Sequence, residues 1–202
     1  ITDANGKILD GSPFSTDEDG LILTGNLLPG QYTVEELLPE DSLYECKGDN
    51  PQTVTITQGE VADITFVNAL RTGKVTVEKI DITGSPLAGA TFRLEWSAEG
   101  SLWYPVTYSE AIVRGGCSNP DVEDGSLTTG ADGILEWGNL YPSLQYRLTE
   151  TKAPEGYKLL DKAAYEGELP VDDLAITVRV TNARTFTLSL IHISEPTRHS
   201  LI

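Results

Sequence analysis

Hydrophobic and polar residues alternate along most of this 202-residue chain. Short runs rich in Val, Ile, Thr and Tyr are separated by turn signals such as Asn5-Gly6, and no long stretch keeps a helical spacing. Alternation with a period of two is typical of strands that bury one face. The pattern therefore predicts an all-β fold built of two-sheet sandwiches.

An internal repeat divides the chain. Residues 15–40 and 128–155 share Thr, Asp-Gly, Gly-Asn-Leu, Pro, Gln-Tyr, Glu and Pro-Glu in the same order. Each copy is followed by a hydrophobic run that ends in Asn-Ala, at 62–70 and 174–184. A repeat of this kind predicts two homologous structural units. The predicted units are a first unit, residues 1–70, and a second unit, residues 71–187.

The two units differ in completeness. The second unit opens with an apolar strand pattern at 73–96 that has no counterpart in the first unit, and the chain contains no methionine. We therefore expect the first unit to be truncated at its N-terminus and the chain to be a piece of a longer protein. Residues 97–127 form an insertion rich in Gly and Ser, which predicts a long hairpin loop, with a ligand-binding loop as the alternative.

The last residues differ in kind from the rest. The segment "LSLIHISEPTR" resembles the translation of an adapter used in preparing sequencing libraries. We expect residues 188–202 to be an adapter-derived tail without biological function, and the alternative is a natural strand and linker.

The composition of the chain argues against several classes of function. A net charge of -17 argues against nucleic acid or an anionic membrane surface as the main partner, and no apolar stretch is long enough to span a bilayer. Cys46 and Cys117 lie far apart, which predicts two free thiols. The only histidines, His192 and His199, lie in the last eleven residues. We therefore expect no enzyme, no cofactor and no metal site in the body of the chain.

Three polar residues of the second unit fall on predicted core faces. Lys79 shares a face with Val75 and Val77, Glu150 follows Tyr146 and Leu148 in the same way, and Asn182 continues the face of Ile176, Val178 and Val180. Buried charges are costly unless they find partners or become neutral. The first unit repeats part of the pattern. Its corresponding residues are Glu36 and Asn68.

The stretches that carry these residues resemble a known family. "EKIDITGSPLAGATF", "YRLTETKAPEGY" and "RVTNAR" are similar to the first-strand lysine motif, the E-box and the final-strand asparagine of Cna B-type, SpaA-like domains of Gram-positive surface proteins and pilins. The resemblance implies tandem prealbumin-like, Ig-like β-sandwiches whose first and last strands lie side by side. It also implies an isopeptide bond between Lys79 and Asn182 that Glu150 promotes. Glu36 and Asn68 would be a partial equivalent site without its lysine, because Ile1 or nothing stands at that position.

The same resemblance implies a function. The leading interpretation is a structural stalk or repeat module of a cell-surface adhesin or pilin-related protein, extracellular and anchored to the cell wall in the full-length protein. Its partners would be neighbouring repeats, with no contact to nucleic acid or membrane. The alternative is an adhesin module in which Trp103, Tyr104 and Tyr108 of the insertion bind a host protein or glycan.

Overall fold

A computed structural model describes residues 1–185, and all of their regular secondary structure is β-strand. The all-β prediction is confirmed. Within these residues, no helix has the length and apolar composition needed to cross a membrane. The predicted tail, residues 188–202, lies outside the described residues.

The second unit contains ten strands, of which the first and the last are rich in the β-branched residues that favour pleated, half-buried surfaces. They are β6 (Gly73–Ile80), β7 (Thr91–Ser97), β8 (Tyr104–Pro105), β9 (Thr107–Tyr108), β10 (Gly116–Cys117), β11 (Ser126–Thr128), β12 (Ile134–Leu140), β13 (Gln145–Lys152), β14 (Tyr165–Glu168) and β15 (Ala175–Thr181). The labels β1 to β5 belong to the first unit.

Two main sheets and a separate parallel pair, β9-β10, form the second unit. One main sheet has the strand order β12-β6-β15, and the other has the order β11-β7-β13-β14, with β8 also paired to β7. Strand β15 runs parallel to β6, in a register that places Val180 opposite Lys79. Parallel neighbours cannot be joined by a tight turn. Strands β6 and β15 are the first and last strands of the unit, so this pairing joins segments about a hundred residues apart in sequence.

The core of the second unit lies between the two sheets. Alternate residues of β6 and β13 are buried, as the period-two pattern predicts. The largest apolar side chains with no exposed surface are Trp137, Tyr146, Phe92, Leu94, Leu140, Leu148 and Leu169. Lys79 and Glu150 are buried in the same layer, at 0% and 2% exposure.

The insertion is folded onto the second unit. It contributes β8, β9 and β10, and its Val106 and Cys117 belong to the buried core. Trp103 lies under the Arg147 guanidinium, 4.4 Å from the ring centroid. Tyr104 is half-exposed and 5.6 Å from Trp96 between ring centroids. The insertion is thus an extension of the sheet rather than a free loop.

The first unit contains five strands: β1 (Thr2–Asp3), β2 (Gly30–Val34), β3 (Tyr44–Lys47), β4 (Gln52–Ile56) and β5 (Val67–Leu70). They form a three-stranded sheet, β1-β2-β4, and a two-stranded sheet, β3-β5. The prediction of one strand over residues 62–70 is only partly correct, because residues 62–66 are irregular. Among the described residues, no strand of the first unit takes the place that β6 has between β12 and β15.

This difference leaves the first unit with little core. Within the described residues, Tyr32 is the one buried apolar side chain that precedes residue 73. Leu23 and Val61 are 91% and 90% exposed, and both lie in segments whose repeat counterparts form or lead into strands in the second unit. Burial of apolar surface is the main stabilising contribution to folding. We therefore expect the first unit to be the less stable of the two.

We predict that the first unit unfolds at a lower temperature than the second. Hydrogen exchange followed by mass spectrometry during a temperature ramp should show β2 and β4 exchanging completely while β6 and β13 are still protected. Simultaneous loss of protection in both units would contradict this expectation.

A second expectation concerns the tail. Deleting residues 188–202 should leave the melting temperature of the chain unchanged, because repeat similarity ends at Arg184. Calorimetry of the full and shortened chains tests this, and a substantial drop on deletion would mean that the tail belongs to the fold.

Candidate functional site

Lys79 lies near the end of β6 with its whole side chain buried. Its Nζ donates to two backbone carbonyl oxygens, of Ile80 at 3.3 Å and of Val180 at 3.4 Å. Burial lowers the pKa of Lys79, although the negative charges of Glu150 and Asp81 act in the opposite direction. The neutral, nucleophilic form of this amine is thus more accessible than that of a lysine in water.

The backbone around Lys79 is fixed on both sides. Its N–H donates to the Gly133 carbonyl at 2.8 Å, and its own carbonyl accepts from Leu87 N at 2.9 Å. Gly133 has φ of 69°, and a Cβ at that position would lie 2.4 Å from the Lys79 carbonyl oxygen. Only glycine permits this close approach of the turn before β12 to β6.

Glu150 lies on β13, on the same inward face as Tyr146 and Leu148. Its Oε2 accepts from the backbone N–H of Leu160 at 3.1 Å and from the side-chain Nδ2 of Asn182. Its Oε1 is buried and has no hydrogen-bond partner among the described residues. A buried carboxyl oxygen without a donor is costly, so Oε1 is open to a hydrogen-bond partner.

Asn182 directly follows the last residue of β15 and is 3% exposed. Its Nδ2 donates to the Lys158 carbonyl at 2.8 Å as well as to Glu150. Its Oδ1 is buried without a partner within the described residues. The amide is therefore oriented by its nitrogen, while its carbonyl oxygen is left open to a donor.

The three predicted inward residues are all buried, as the alternation of their strands predicts. Glu150 and Asn182 are in direct contact, and the Lys79 amine lies 3.4 Å from a carbonyl oxygen two residues before Asn182. The two neighbouring sheets thus supply an amine, an amide and a carboxyl group to one water-excluded region.

A short segment after β13 also belongs to this site, and the sequence reasoning did not identify it. Within residues 157–160, the Lys158 carbonyl accepts from Asn182, the Leu160 N–H donates to Glu150, and the Tyr157 ring centroid lies 5.9 Å from Lys79 Nζ. The "APEGY" turn that begins this segment was the available signal, since it returns the chain across the sandwich.

The first unit repeats part of the arrangement. Asn68 Nδ2 donates to Glu36 Oε1 at 2.7 Å, the same kind of contact that joins Asn182 to Glu150. The expectation that Asn68 points into a core is wrong, because Asn68 is exposed. Glu36 Oε2 is nevertheless buried and has no hydrogen-bond partner among the described residues.

The first turn of each unit has the same hydrogen bonds. Asp3 N donates to Lys7 O at 2.9 Å, and Asp81 N donates to Ser85 O at 2.8 Å. Each aspartate side chain also accepts from the backbone two and four residues further on. The two turns are therefore structurally equivalent, with Asp3 in the place of Asp81.

This equivalence fixes which residue replaces the lysine. Leu9 N donates to the Ile1 carbonyl at 2.9 Å, and Leu87 N donates to the Lys79 carbonyl at the same distance. Ile1 therefore stands at the position of Lys79. The first unit has the carboxyl and the amide but has an isoleucine where the amine would be.

The two cysteines are free thiols, as predicted. Cys46 lies opposite Asn68 on β3, and partial burial raises its pKa, with a further contribution from Glu36. Cys117 is 1% exposed and packs in the core. Among the described residues, no group of three or more His, Cys, Asp or Glu side chains is arranged to hold a metal ion.

Comparison with known proteins identifies one matching family model, described as SpaA: Prealbumin-like fold domain, over residues 1–70 and 73–184. The two matched ranges are close to the two units predicted from the repeat. A search of curated proteins found no match.

Several solved structures are similar to the chain. A group B streptococcus pilus 2b backbone protein is 26% identical over 74% of this chain and 52% of its own length, with a TM-score of 0.47. A streptococcal ancillary pilin is 25% identical over 78% of this chain and 43% of its own, with a TM-score of 0.41. The Bacillus anthracis TIE protein is 20% identical over 84% of this chain and 28% of its own, with a TM-score of 0.55. The chain thus spans about half, or less, of the length of these proteins.

Proposed function

Because the chain belongs to the family of SpaA prealbumin-like fold domains, we propose that it is a structural module of a bacterial pilus or other cell-surface protein. Its sandwiches would stand in series with neighbouring subunits or repeats outside the cell. The solved structures that resemble it include pilus backbone and ancillary pilin proteins. The proposed domains are residues 1–70 and residues 71–187.

The proposed chemical feature of the module is an isopeptide bond between Lys79 and Asn182. The observation that carries this proposal is the joint burial of Lys79, Glu150 and Asn182, with the Asn182 amide held against Glu150. A buried amine, amide and carboxyl group without solvent have little stabilising role as separate polar side chains. They are, however, the reactants and the proton carrier that such a bond requires.

We propose the following reaction. The neutral amine of Lys79 attacks Cγ of Asn182, and the bond from Cγ to Nδ2 breaks. One proton moves from Lys79 Nζ to Nδ2, which leaves as ammonia. Nδ2 lies against Glu150 Oε2, so that Glu150 is placed to pass this proton to the leaving nitrogen.

Glu150 has a second role in the proposal. In its protonated form it donates to the developing oxyanion at Asn182 Oδ1, which has no other partner among the described residues. The rigid register of β6 and β15 supplies proximity. The reaction takes place once in each molecule, so the chain is proposed as a structural protein and not as an enzyme with turnover.

The benefit of the bond is mechanical and thermodynamic. It closes a loop of about a hundred residues, which by analogy with a disulfide contributes about 4–5 kcal/mol through the unfolded state. It also joins the first and last strands of the unit, through which a pulling force enters and leaves. Intact-mass measurement tests the bond directly, because the reaction removes one ammonia.

The ligand-binding alternative has less support. Trp103 is engaged by Arg147, and the insertion is paired to β7 rather than projecting from the fold. Tyr104 and Tyr108 remain half-exposed, at 51% and 45%. Two half-exposed tyrosines on a sheet extension do not by themselves form a binding surface.

A further inference from the structure

We propose that Tyr157 is a positioning residue that closes the Lys79 amine off from water and is held in place by Arg184 and Asp81. This inference rests on the cross-linking function proposed above. It assigns a role to a residue that neither reacts nor carries a proton.

The ring of Tyr157 covers the amine. Lys79 has no exposed surface, and the Tyr157 ring centroid lies 5.9 Å from its Nζ. Tyr157 itself is only partly buried. A fully buried amine beside a partly exposed ring is the arrangement expected if the ring covers the amine.

Arg184 fixes the ring from outside. Its Nε donates to the Tyr157 hydroxyl at 3.2 Å, and its guanidinium lies 5.6 Å from the ring centroid. It also reaches Asp81 at 3.7 Å. Asp81 is 7% exposed and is itself held by the backbone N–H groups of Thr83 and Ser85. These contacts connect Asp81, in the first turn of the unit, through Arg184 to the Tyr157 ring.

The positions of the two holding residues tie the ring to the reacting strands. Asp81 comes two residues after Lys79, and Arg184 comes two residues after Asn182. The Asp81–Arg184 pair therefore joins the same two chain segments that the isopeptide bond would join, two residues further along each segment. The ring is placed correctly only when these segments are already aligned.

The backbone on both sides of Tyr157 is bonded to the final segment. Thr185 N donates to the Gly156 carbonyl at 2.8 Å, and Lys158 N donates to the Ala183 carbonyl at 2.8 Å. These bonds fix the backbone that carries the ring, and the hydrogen bond from Arg184 to the hydroxyl restrains the rotation of the side chain. The cover is thus part of the ordered sandwich and not a loose loop.

The cover has an electrostatic consequence for the amine. The carboxyl groups of Glu150 on β13 and of Asp81 beyond β6 act on the Lys79 amine, and the Arg184 cation lies 5.6 Å from the centroid of the same ring. Both carboxyl groups, and the face of the ring, attract a cation. Burial opposes them and lowers the pKa of Lys79 overall. Removing the cover admits water and raises that pKa towards its ordinary value.

The first test is the rate of ammonia loss. Unreacted chain, isolated in denaturant directly after cell-free synthesis, is refolded at a series of pH values and followed by intact mass. Tyr157→Ala should slow the reaction about tenfold for each unit by which the Lys79 pKa rises, and should shift the pH profile of the rate towards higher pH. Tyr157→Phe keeps the ring but loses the hydroxyl that accepts from Arg184, so it should shift the profile by less than Tyr157→Ala.

The outcome that overturns the proposal is a folded Tyr157→Ala chain with an unchanged rate and pH profile. Should circular dichroism show that this variant does not fold, Arg184→Ala decides, because Arg184 is 55% exposed in its side chain and lies outside the core. Arg184→Ala should shift the pH profile of the rate towards higher pH by a smaller amount than Tyr157→Ala. An unchanged profile would also overturn the proposal.

A second readout does not depend on the cross-link. In a Glu150→Gln chain the Lys79 amine remains free, and a water-soluble acylating reagent measures its access to solvent. At a pH above the ordinary pKa of lysine the amine is neutral with or without the ring. Adding Tyr157→Ala should there raise labelling of Lys79 at least about tenfold, because only the access of the reagent to the amine changes. Lys74, half-exposed on the same strand, is the internal control.

The two readouts separate the two proposals. If the unaltered chain has the full mass of its sequence, no isopeptide bond has formed and the cross-linking function fails. Labelling of Lys79 in the Glu150→Gln chains still shows whether Tyr157 covers the amine. If the chain loses ammonia and Tyr157→Ala changes neither rate profile nor labelling, only the role of Tyr157 fails.

Discussion

Purified chain should weigh one ammonia less than its sequence requires, and not two. The second unit has an amine, an amide and a carboxyl group buried together at Lys79, Asn182 and Glu150, whereas the first unit has Ile1 in the place of the lysine. Intact-mass measurement gives the number of ammonia molecules lost. Peptide mapping should then recover a branched peptide in which Lys79 is joined to Asn182.

Variants of the two glutamates provide a matched comparison. Glu150→Ala and Lys79→Ala should abolish the branched peptide, because the first removes the proton carrier and the second removes the nucleophile. Glu36→Ala alters the equivalent residue of the first unit and should leave the mass loss unchanged. Unmodified Lys79 in fully folded, unaltered chain would refute the isopeptide bond and leave a plain sandwich.

Under a pulling force, the second unit of the unaltered chain should transmit load without unfolding its loop. The bond would connect β6 directly to the end of β15, so that the residues between Lys79 and Asn182 are bypassed. Without the bond, unfolding should release about a hundred residues, or about 350 Å of additional chain length. Single-molecule stretching should therefore show this step in a Glu150→Gln chain and not in the unaltered chain.

The matched control is again in the first unit. Glu36→Gln should leave the stretching record of the second unit unchanged, since Glu36 contacts Asn68 and lies in the other unit. The first unit should extend at low force in all variants, because it has little buried apolar surface. A step of about 350 Å from the second unit of the unaltered chain would contradict a covalent link between its terminal strands.

The sequence by itself determined which side chains face inward. Alternation with a period of two is a local property of an extended backbone, so the burial of Lys79, Glu150 and Asn182 could be predicted from their neighbours on each strand. The repeat was also readable, because homologous units keep the same turn residues in the same order. The family resemblance carried the side-by-side placement of the first and last strands, which no local pattern contains.

Only the tertiary structure decided which residues from other parts of the chain each side chain contacts. The register of β15 on β6, the contact of Asn182 with Glu150 and the placement of Tyr157 over Lys79 all join residues far apart in sequence. The first unit shows that the alternation pattern alone does not determine burial. Asn68 has the inward pattern of Asn182 and is nevertheless exposed, because alternation assigns a face to a side chain, whereas only a neighbouring strand or sheet can bury that face.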